Sequence, residues 1–562
     1  MSNAFLGSIG GESADSLPFQ GTGVWRCHAT AFAGSEVATD ASGRYSIAGE
    51  ALLDNASTLA QSLGLPALPH LALLAELYQR YGIAAGRMAL GMFAVAVHDR
   101  DHDTVTLMRD GVGARTMYFA SQGPSTWFAS RLRTLHAIPN LSGQLSLTAL
   151  RRYLTCAFVP GSETSWEGIS ELDPGESITF PGGKRQLFWR LEESAWDDDE
   201  PLEISAARLR GTIDEAVRDR LPASGEPVGV FLSGGLDSSL VTALAAKLHS
   251  GPVHTFSIHF GKQHRSELEF SDLVAQHCGT IHHVLELPAK TIMRRLHDTH
   301  AALDDPIGDP LTTPNSLVGE LAAQHVKVVL NGEGGDPCFG GPKNSPMLLH
   351  RLYGEHESFS SAYMRSFQKC FDDLDSLLLP EVKRHLLTAE PQETLFEPYF
   401  SGELMSDGLN QLMHVNTFFK GASHILTKVN NLTSANGLIG RSPLFDRRVV
   451  EASFGIAPRH KLAAATEKAV LKAASVDLLP ASIIHRPKSG MLVPVQYWFR
   501  NELRGYAADM LLGKQARTSA YFDRRTVKSW INYRGGVWPR HGVKLWLLLA
   551  LEIWLRAQED TR

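Results

Sequence analysis

Two glycine-rich stretches concentrate the side chains best suited to chemistry. The first, Ser233-Gly234-Gly235-Leu236-Asp237-Ser238-Ser239, directly follows an apolar run that includes Val228, Val230, Phe231 and Leu232. It offers hydroxyls, one carboxylate, and a glycine turn that lets backbone approach a ligand closely. An alanine- and leucine-rich helix opens within it, and the free N–H groups of a helix start attract anions. That combination suits a polyphosphate with its metal. The same residues also satisfy an ordinary strand–helix connection with a serine cap, so the local pattern leaves both open. The second stretch, Asn331-Gly332-Glu333-Gly334-Gly335-Asp336, follows the apolar run VKVVL. It sets two carboxylates and three glycines at a second strand end. Asp237 and Asp336 are therefore candidates to share one Mg²⁺ on a nucleotide's phosphates, because that ion prefers oxygen ligands. A glycine turn with solvated acids is the alternative. Neither stretch carries the lysine of GxxxxGK[ST], which disfavours a P-loop NTPase.

Loops of this kind need strands that end at a common edge. From about residue 204 the pattern reads as a helix over 205–220, then strands at 228–232, 253–260, 282–287 and 326–331 with helices between them. Such alternation predicts a parallel α/β sheet with ligands at the carboxyl ends of its strands. Before it, strands are expected at 44–53, 92–99, 104–110, 116–120 and 126–130, with a helix over 70–82, which indicates a layered α+β domain. The acidic, proline-containing stretch SAWDDDEPLE reads as a solvated linker. The expected domains are thus 1–193 and 204–562, joined by 194–203.

At 562 residues the chain exceeds one core. A net charge of −6 without a dense basic block gives no electrostatic footprint for nucleic acid. Five scattered cysteines form no disulfide framework, so a reducing, cytoplasmic setting is expected. The N-terminus has no signal-peptide pattern. The apolar run 545–551, bounded by Lys544 and Glu552, is far short of the ~20 residues of a membrane span and predicts a buried helix. His277, Cys278, His282 and His283 lack a second cysteine pair at finger spacing and are read as packed residues, not zinc ligands. Asp304, Asp305 and Asp309 are either cleft ligands or turn acids before prolines. Cys338, without a basic partner nearby in sequence, is read as a small packed residue.

SGGLDSS followed by GEGGD resembles the asparagine synthetase family, and the resemblance runs through nearly the whole chain. YGIAAGRMALGMFAVAVHDRDHDTVTLMRDGVGARTMYF, FASRLRTL and FVPGSETSWEGISELDPGE are similar to its glutaminase-type N-terminal domain. DDPIGDP, GRSPLFD, TEKAVLKAA, LLPASIIHRPKSG and LWLLLALEIWLR follow the order of its synthetase domain. The resemblance implies an α+β N-terminal glutaminase-like (Ntn-type) sandwich followed by an α/β parallel-sheet ATP-pyrophosphatase (adenine nucleotide alpha hydrolase-like) synthetase domain. It implies ATP and Mg²⁺ as cofactors, with Ser233, Gly234, Gly235, Asp237, Ser238 and Ser239 in the pyrophosphate loop and Asp237 and Asp336 as metal ligands. Leu232, Ser257, Ile258, Asn331 and Gly332 fall where the family cradles adenine and ribose. Glu333 matches an acidic position implicated in proton transfer, and Lys488 the lysine that steadies charge on the adenylate and tetrahedral intermediate.

Departures from the family pattern locate the change. The glutaminase nucleophile is an N-terminal cysteine, whereas this sequence begins Met1-Ser2-Asn3 and its first cysteine is Cys27. The domain is therefore expected to lack that nucleophile. TKVNNLTSANGLIGRSPLFD has Asn430-Asn431 and Ile439 where asparagine synthetases carry an Asp-Arg pair and a glutamate. PCFGGPKN, Pro337 to Asn344, replaces the usual acidic residue and GGY. The activation half is kept and the acceptor half altered.

That profile resembles the branches with an internal nucleophile, most closely the lasso-peptide macrolactam synthetases. The implied reaction adenylates an Asp or Glu side chain of a precursor peptide, which the peptide's own N-terminal amine then attacks. The implied partners are the precursor, a leader-binding protein and a leader peptidase, with neither nucleic acid nor a membrane span. β-Lactam-forming or other small-molecule amide synthetases, an ammonia-dependent asparagine synthetase and an inactive nucleotide-binding regulator are the other readings.

Overall fold

The computed structural model describes residues 5–9, 25–29, 35–123, 125–139, 141, 143–342, 344–354, 358–463, 466–486, 490–534 and 540–559. Its packing forms two units. One comprises Met1–Ser146, Gly161–Leu191 and Gly421–Asn430; the other comprises Leu147–Pro160, Glu192–Lys420 and Asn431–Arg562. Two short segments thus leave the partition expected from a single cut near 193. For 147–160 the cause is its apolar side chains. Cys156 and Phe158 join a buried cluster with Tyr363, Phe396 and Phe419, and the Tyr153 hydroxyl donates to the Leu547 carbonyl at 2.8 Å.

The first unit is a sandwich of two antiparallel sheets. One runs Trp25–Ala29, Phe5–Ile9, Ser125–Ala129, Tyr118–Gln122, Ser170–Glu171. The other runs Lys184–Leu187, Glu176–Phe180, Thr104–Arg109, Gly91–Asp99, Tyr45–Leu53, Ser35–Thr39. The five expected strands and the helix His70–Tyr81 all form. Strand Gly91–Asp99 shows why the layers hold. Side chains alternate between faces, so Phe93, Val95 and Val97 pack with Leu71, Leu74 and Leu77 of the helix. Ala94 and Ala96 face the other sheet, where their small size leaves room for Met117 and Phe128.

The second unit is built on a five-stranded parallel sheet of β1 Val228–Phe231, β2 Val253–His259, β3 Ile281–Glu286, β4 Val328–Leu330 and β5 Ile439–Arg441. The spatial order is β3-β2-β1-β4-β5. Only three residues long, β5 leaves no alternation for a pattern to detect. Helix α1, Leu202–Arg218, enters the unit, so the last two residues of the expected linker are helical; Pro201, at its N-cap with φ −60°, sets the entry. Helix α2, Leu236–Leu248, follows β1, and α3, Thr312–Ala322, precedes β4. Helix α4, His541–Glu559, is buried on nearly every face, including Trp546, Leu549 and Trp554. It is a core helix, as the apolar run predicted, and among the described residues no helix is long and apolar enough to cross a membrane.

Candidate active site

The chain runs from β1 through β2 to β3 at one edge, then returns to β4 on the other side of β1. Where strand order reverses, neighbouring connections diverge and open a crevice at the carboxyl ends, the usual ligand position in such sheets. The first glycine stretch follows β1 and the second follows β4, so both border that crevice.

The first loop is held by its own serines. Ser233 N–H donates to Ser238 Oγ at 3.2 Å, and the two hydroxyls lie 3.0 Å apart. Gly235 caps α2, leaving the first N–H groups of the helix directed toward the loop. Gly234 has φ +75°, and a Cβ there would stand 2.6 Å from Ser271 N. Ser239 differs from its neighbours, being fully buried, with a hydroxyl that has no partner among the described residues.

Glycines also let the two loops touch. A Cβ on Gly332 would lie 2.4 Å from Ser238 N, and one on Gly335 would lie 2.2 Å from Asp237 Cγ. Asp237 and Asp336 converge on a third residue, Lys468. Its Nζ donates to Asp237 Oδ2 at 2.6 Å and lies 2.5 Å from Asp336 Oδ1. Lys468 is in the left-handed region, φ 54° and ψ 38°, at the start of helix Ala469–Ala473. A non-glycine residue there costs on the order of 1–3 kcal/mol and persists only where its surroundings demand it. Two carboxylates thus stand within reach of one ammonium. That donor set fits a hard cation such as Mg²⁺, while the hydroxyls, helix start and lysine fit phosphate oxygens.

The remaining expected residues divide. Leu232, Ser257 and Ile258 come together at the ends of β1 and β2, with Ser257 Oγ donating to Leu232 O at 2.5 Å. The Asn331 side chain is occupied in shaping the second loop: Nδ2 donates to Arg441 O at 3.1 Å, and Oδ1 accepts from Glu333 N at 3.0 Å. Gly332 and Glu333 are half-buried beside it. Lys488 lies outside the described residues. Cys338 is buried, its thiol pushed up to about 12 by burial, and its Sγ approaches Leu444 O at 3.7 Å. It is packed and not poised as a thiolate.

Two participants were not legible beforehand. Lys468 is 231 residues from Asp237 in sequence, and nothing in TEKAVLKAA marks the lysine that turns inward. Arg486, in the segment that leads to Lys488, donates from Nη1 to Gly234 O at 2.9 Å, pairs with Glu267, and stacks 3.8 Å from the Phe270 ring. It fastens that segment to the first loop.

The altered acceptor positions serve internal contacts. Asn431 Nδ2 donates to Asp304 Oδ2 at 2.8 Å, and its Oδ1 accepts from Asp304 N at 2.9 Å, both residues being fully buried. Asp304 is therefore a latch within the core and not a cleft ligand. Asn430 Oδ1 accepts from Arg115 Nη1 at 2.5 Å. Ile439 opens β5 at its amino end, its N–H donating to Lys327 O, whereas the loops lie at the carboxyl ends.

Comparison with known proteins gives the same two-part organisation. Residues 208–556 match the family described as asparagine synthase, and residues 72–189 match the glutamine amidotransferase domain. The chain is 25% identical over 506 residues to glutamine-hydrolyzing asparagine synthetase 1 of Bacillus subtilis (strain 168), covering 85% of this chain and 79% of that protein. It is 26% identical over 528 residues to a putative glutamine-hydrolyzing asparagine synthetase of Mycobacterium tuberculosis (strain ATCC 25618 / H37Rv), covering 85% and 78%. To asparagine synthetase B of Escherichia coli (strain K12) it is 23% identical over 464 residues, covering 79% and 68%.

Proposed function

Since the chain belongs to the asparagine synthase family and is an ATP-dependent amide-forming ligase, we propose that its particular reaction is lasso-peptide cyclisation. A side-chain carboxylate of an Asp or Glu in a precursor core peptide attacks the α-phosphate of ATP, giving an acyl-adenylate and pyrophosphate. The peptide's own N-terminal amine then attacks the acyl carbon, and AMP leaves as the macrolactam forms. The observation that carries the activation step is the convergence of Asp237, Asp336 and Lys468 at the switch point between β1 and β4.

Each residue has a task in this reading. Ser233, Ser238 and the start of α2 receive the phosphates, and Lys468 exchanges a carboxylate for a phosphate oxygen as substrate enters. Asp237 and Asp336 would hold Mg²⁺, which would supply neutralisation of the charge on the pyrophosphate leaving group. Glu333 takes the proton lost by the attacking amine. Lys488 stabilises the developing oxyanion. An amine tethered to its own acceptor removes the need to bind a second reactant, which supplies a large effective concentration. The stretch Pro337 to Asn344, which departs from the family pattern beside the second loop, supports an acceptor other than free aspartate. The precursor, a leader-binding protein and a leader peptidase are the proposed partners.

The test is mass spectrometry of a leaderless core peptide incubated with the protein, ATP and Mg²⁺. Loss of one water with stoichiometric AMP is the expected result. The names of the relatives favour a second reading, synthesis of asparagine. ATP-dependent asparagine from aspartate with ammonia or glutamine would establish that reading and overturn cyclisation.

A further inference from the structure

Three histidines meet on one face of the parallel sheet of the second unit. His254 is on β2, His283 on β3, and His325 lies in the turn between α3 and β4. The register pairs His254 with Ile281 and Phe256 with His283, so alternate residues 254 and 256 share a face with 281 and 283. His254 Nδ1 and His283 Nε2 lie 3.0 Å apart. The rings of His283 and His325 stack with centroids 4.2 Å apart, and those of His254 and His283 at 5.3 Å are nearly parallel.

One donor nitrogen from each ring falls within 4.8 Å of the others. Gly229 on β1 provides space for the third histidine's segment. A Cβ there would lie 2.9 Å from Val326 Cγ2 and 3.1 Å from Phe256 Cε2, so a larger residue would push that turn off the sheet. Of the residues read from the sequence as packed, His283 instead joins this trio, while His277 Nε2 contacts Leu478 O at 3.0 Å and His282 Nδ1 contacts Thr255 Oγ1 at 2.8 Å. Burial, followed by the neighbouring His325, lowers the pKa of both His254 and His283, which keeps lone pairs available near neutral pH.

We propose that His254, His283 and His325 bind a divalent cation of the zinc class, with three imidazole nitrogens as protein ligands and the remaining position facing solvent. Imidazole suits Zn²⁺, Ni²⁺ and Cu²⁺, whereas Mg²⁺ takes oxygen donors. The site is therefore chemically distinct from the carboxylates at the glycine loops. Tetrahedral zinc with Zn–N distances of about 2.0–2.1 Å places its nitrogens roughly 3.3 Å apart. His254 and His283 already stand near that spacing, and rotation of the His325 ring closes the third vertex. His254 is the second residue of β2 and His325 precedes β4, so the cation would tie together the amino-terminal side of the sheet. The nucleotide loops occupy its carboxyl side. Binding to the folded chain alone would raise its stability by linkage.

The test is calorimetric titration of chelator-treated full-length protein with ZnCl₂, in saturating Mg²⁺ to occupy the carboxylates. It is paired with thermal unfolding and with visible d–d spectra of the Co²⁺-loaded protein. One zinc equivalent, a zinc-dependent rise in Tm and a tetrahedral cobalt spectrum are expected. Loss of a ligand should weaken zinc at least about tenfold, the lower end of what losing a supporting contact costs. His325→Ala changes a turn with solvent access and His254→Gln keeps side-chain bulk, so both variants are expected to fold by circular dichroism. Zinc binding unchanged in both variants overturns the proposal, as does wild-type binding no tighter than that of the triple variant His254→Gln, His283→Gln, His325→Gln.

Discussion

Each unit of this protein buries charge, and two of the clusters, one from each unit, do so in opposite ways. In the glutaminase-like unit Arg109 and Glu171 pair at 3.0 Å, and Arg115 and Glu50 at 3.2 Å, with every one of these side chains nearly inaccessible. Remaining donors of Arg109 go to the carbonyls of Arg115 and Leu172 at 2.6 Å, while buried Asp110 accepts from the N–H groups of Ala114 and Arg115 at 2.9 Å. In the synthetase unit Lys468 is just as buried, 4% exposed, but its partner Asp336 is 37% exposed. A sealed pair fixes geometry, because removing either member strands a charge in a low-dielectric interior. A half-open pair can exchange a carboxylate for a charged substrate group. The sealed network is closed to solvent, whereas the half-open cluster leaves a carboxylate within reach of an incoming charged group.

That distinction is open to attack by mutation. Asp237→Asn should lower ATP-dependent pyrophosphate release by on the order of 10²–10³-fold or more, with little change in the urea midpoint because Asp336 still balances Lys468. Undiminished release would remove Asp237 from the site. Arg109→Met should behave in the reverse sense, destabilising its unit by about 3–5 kcal/mol as Glu171 loses its partner. Urea unfolding followed by a tryptophan signal measures this, and an unchanged curve would deny the sealed pair its scaffold role. Gly335→Ala places a methyl against the Asp237 carboxylate and should part the two loops. The expected reading is a rise in the KM for ATP of about tenfold with the fold intact, and wild-type kinetics would show that the loops do not close on one another.

The effect confined to alkaline pH concerns Lys461. It donates to Asn410 Oδ1 at 2.6 Å and Ser453 O at 2.8 Å, and burial pushes its pKa down to about 7. Lysine in an unfolded chain titrates near 10.4. Between these values the unfolded chain holds more protons, so this residue makes stability rise with pH from about 7 toward 10. Lys461→Met should flatten that rise by up to about 1.4 kcal/mol per pH unit. Parallel stability–pH curves for wild type and variant would assign the slope elsewhere.

Much of the scaffold is legible along the chain because its signals are short in range. Alternating apolar residues mark the strands at 44–53 and 92–99, and apolar runs ending in glycine mark β1 and β4. The chemistry of the two glycine loops is likewise local, since hydroxyls, carboxylates and turns lie within seven residues of one another. Ile439 shows where such reading stops. Placed beside GRSPLFD in sequence, it opens a strand at the end opposite the two glycine loops, which only the strand's direction reveals. Asp304 shows the same limit, for an acid before a proline looks exposed until Asn431 is known to cover it.

The amino-acid sequence by itself determined the family, the two-part organisation and the position of the two glycine loops at strand ends, all of which follow from residue types at close spacing. Tertiary structure alone decided which distant groups meet: Lys468 between the two carboxylates, Arg486 on the first loop, and three histidines drawn from two strands and a turn. Those meetings depend on the strand order β3-β2-β1-β4-β5, with β1 and β4 adjacent at its centre. Spatial order arises from burying helices and strands around one core. A contact between residues 231 positions apart leaves no local periodicity to read.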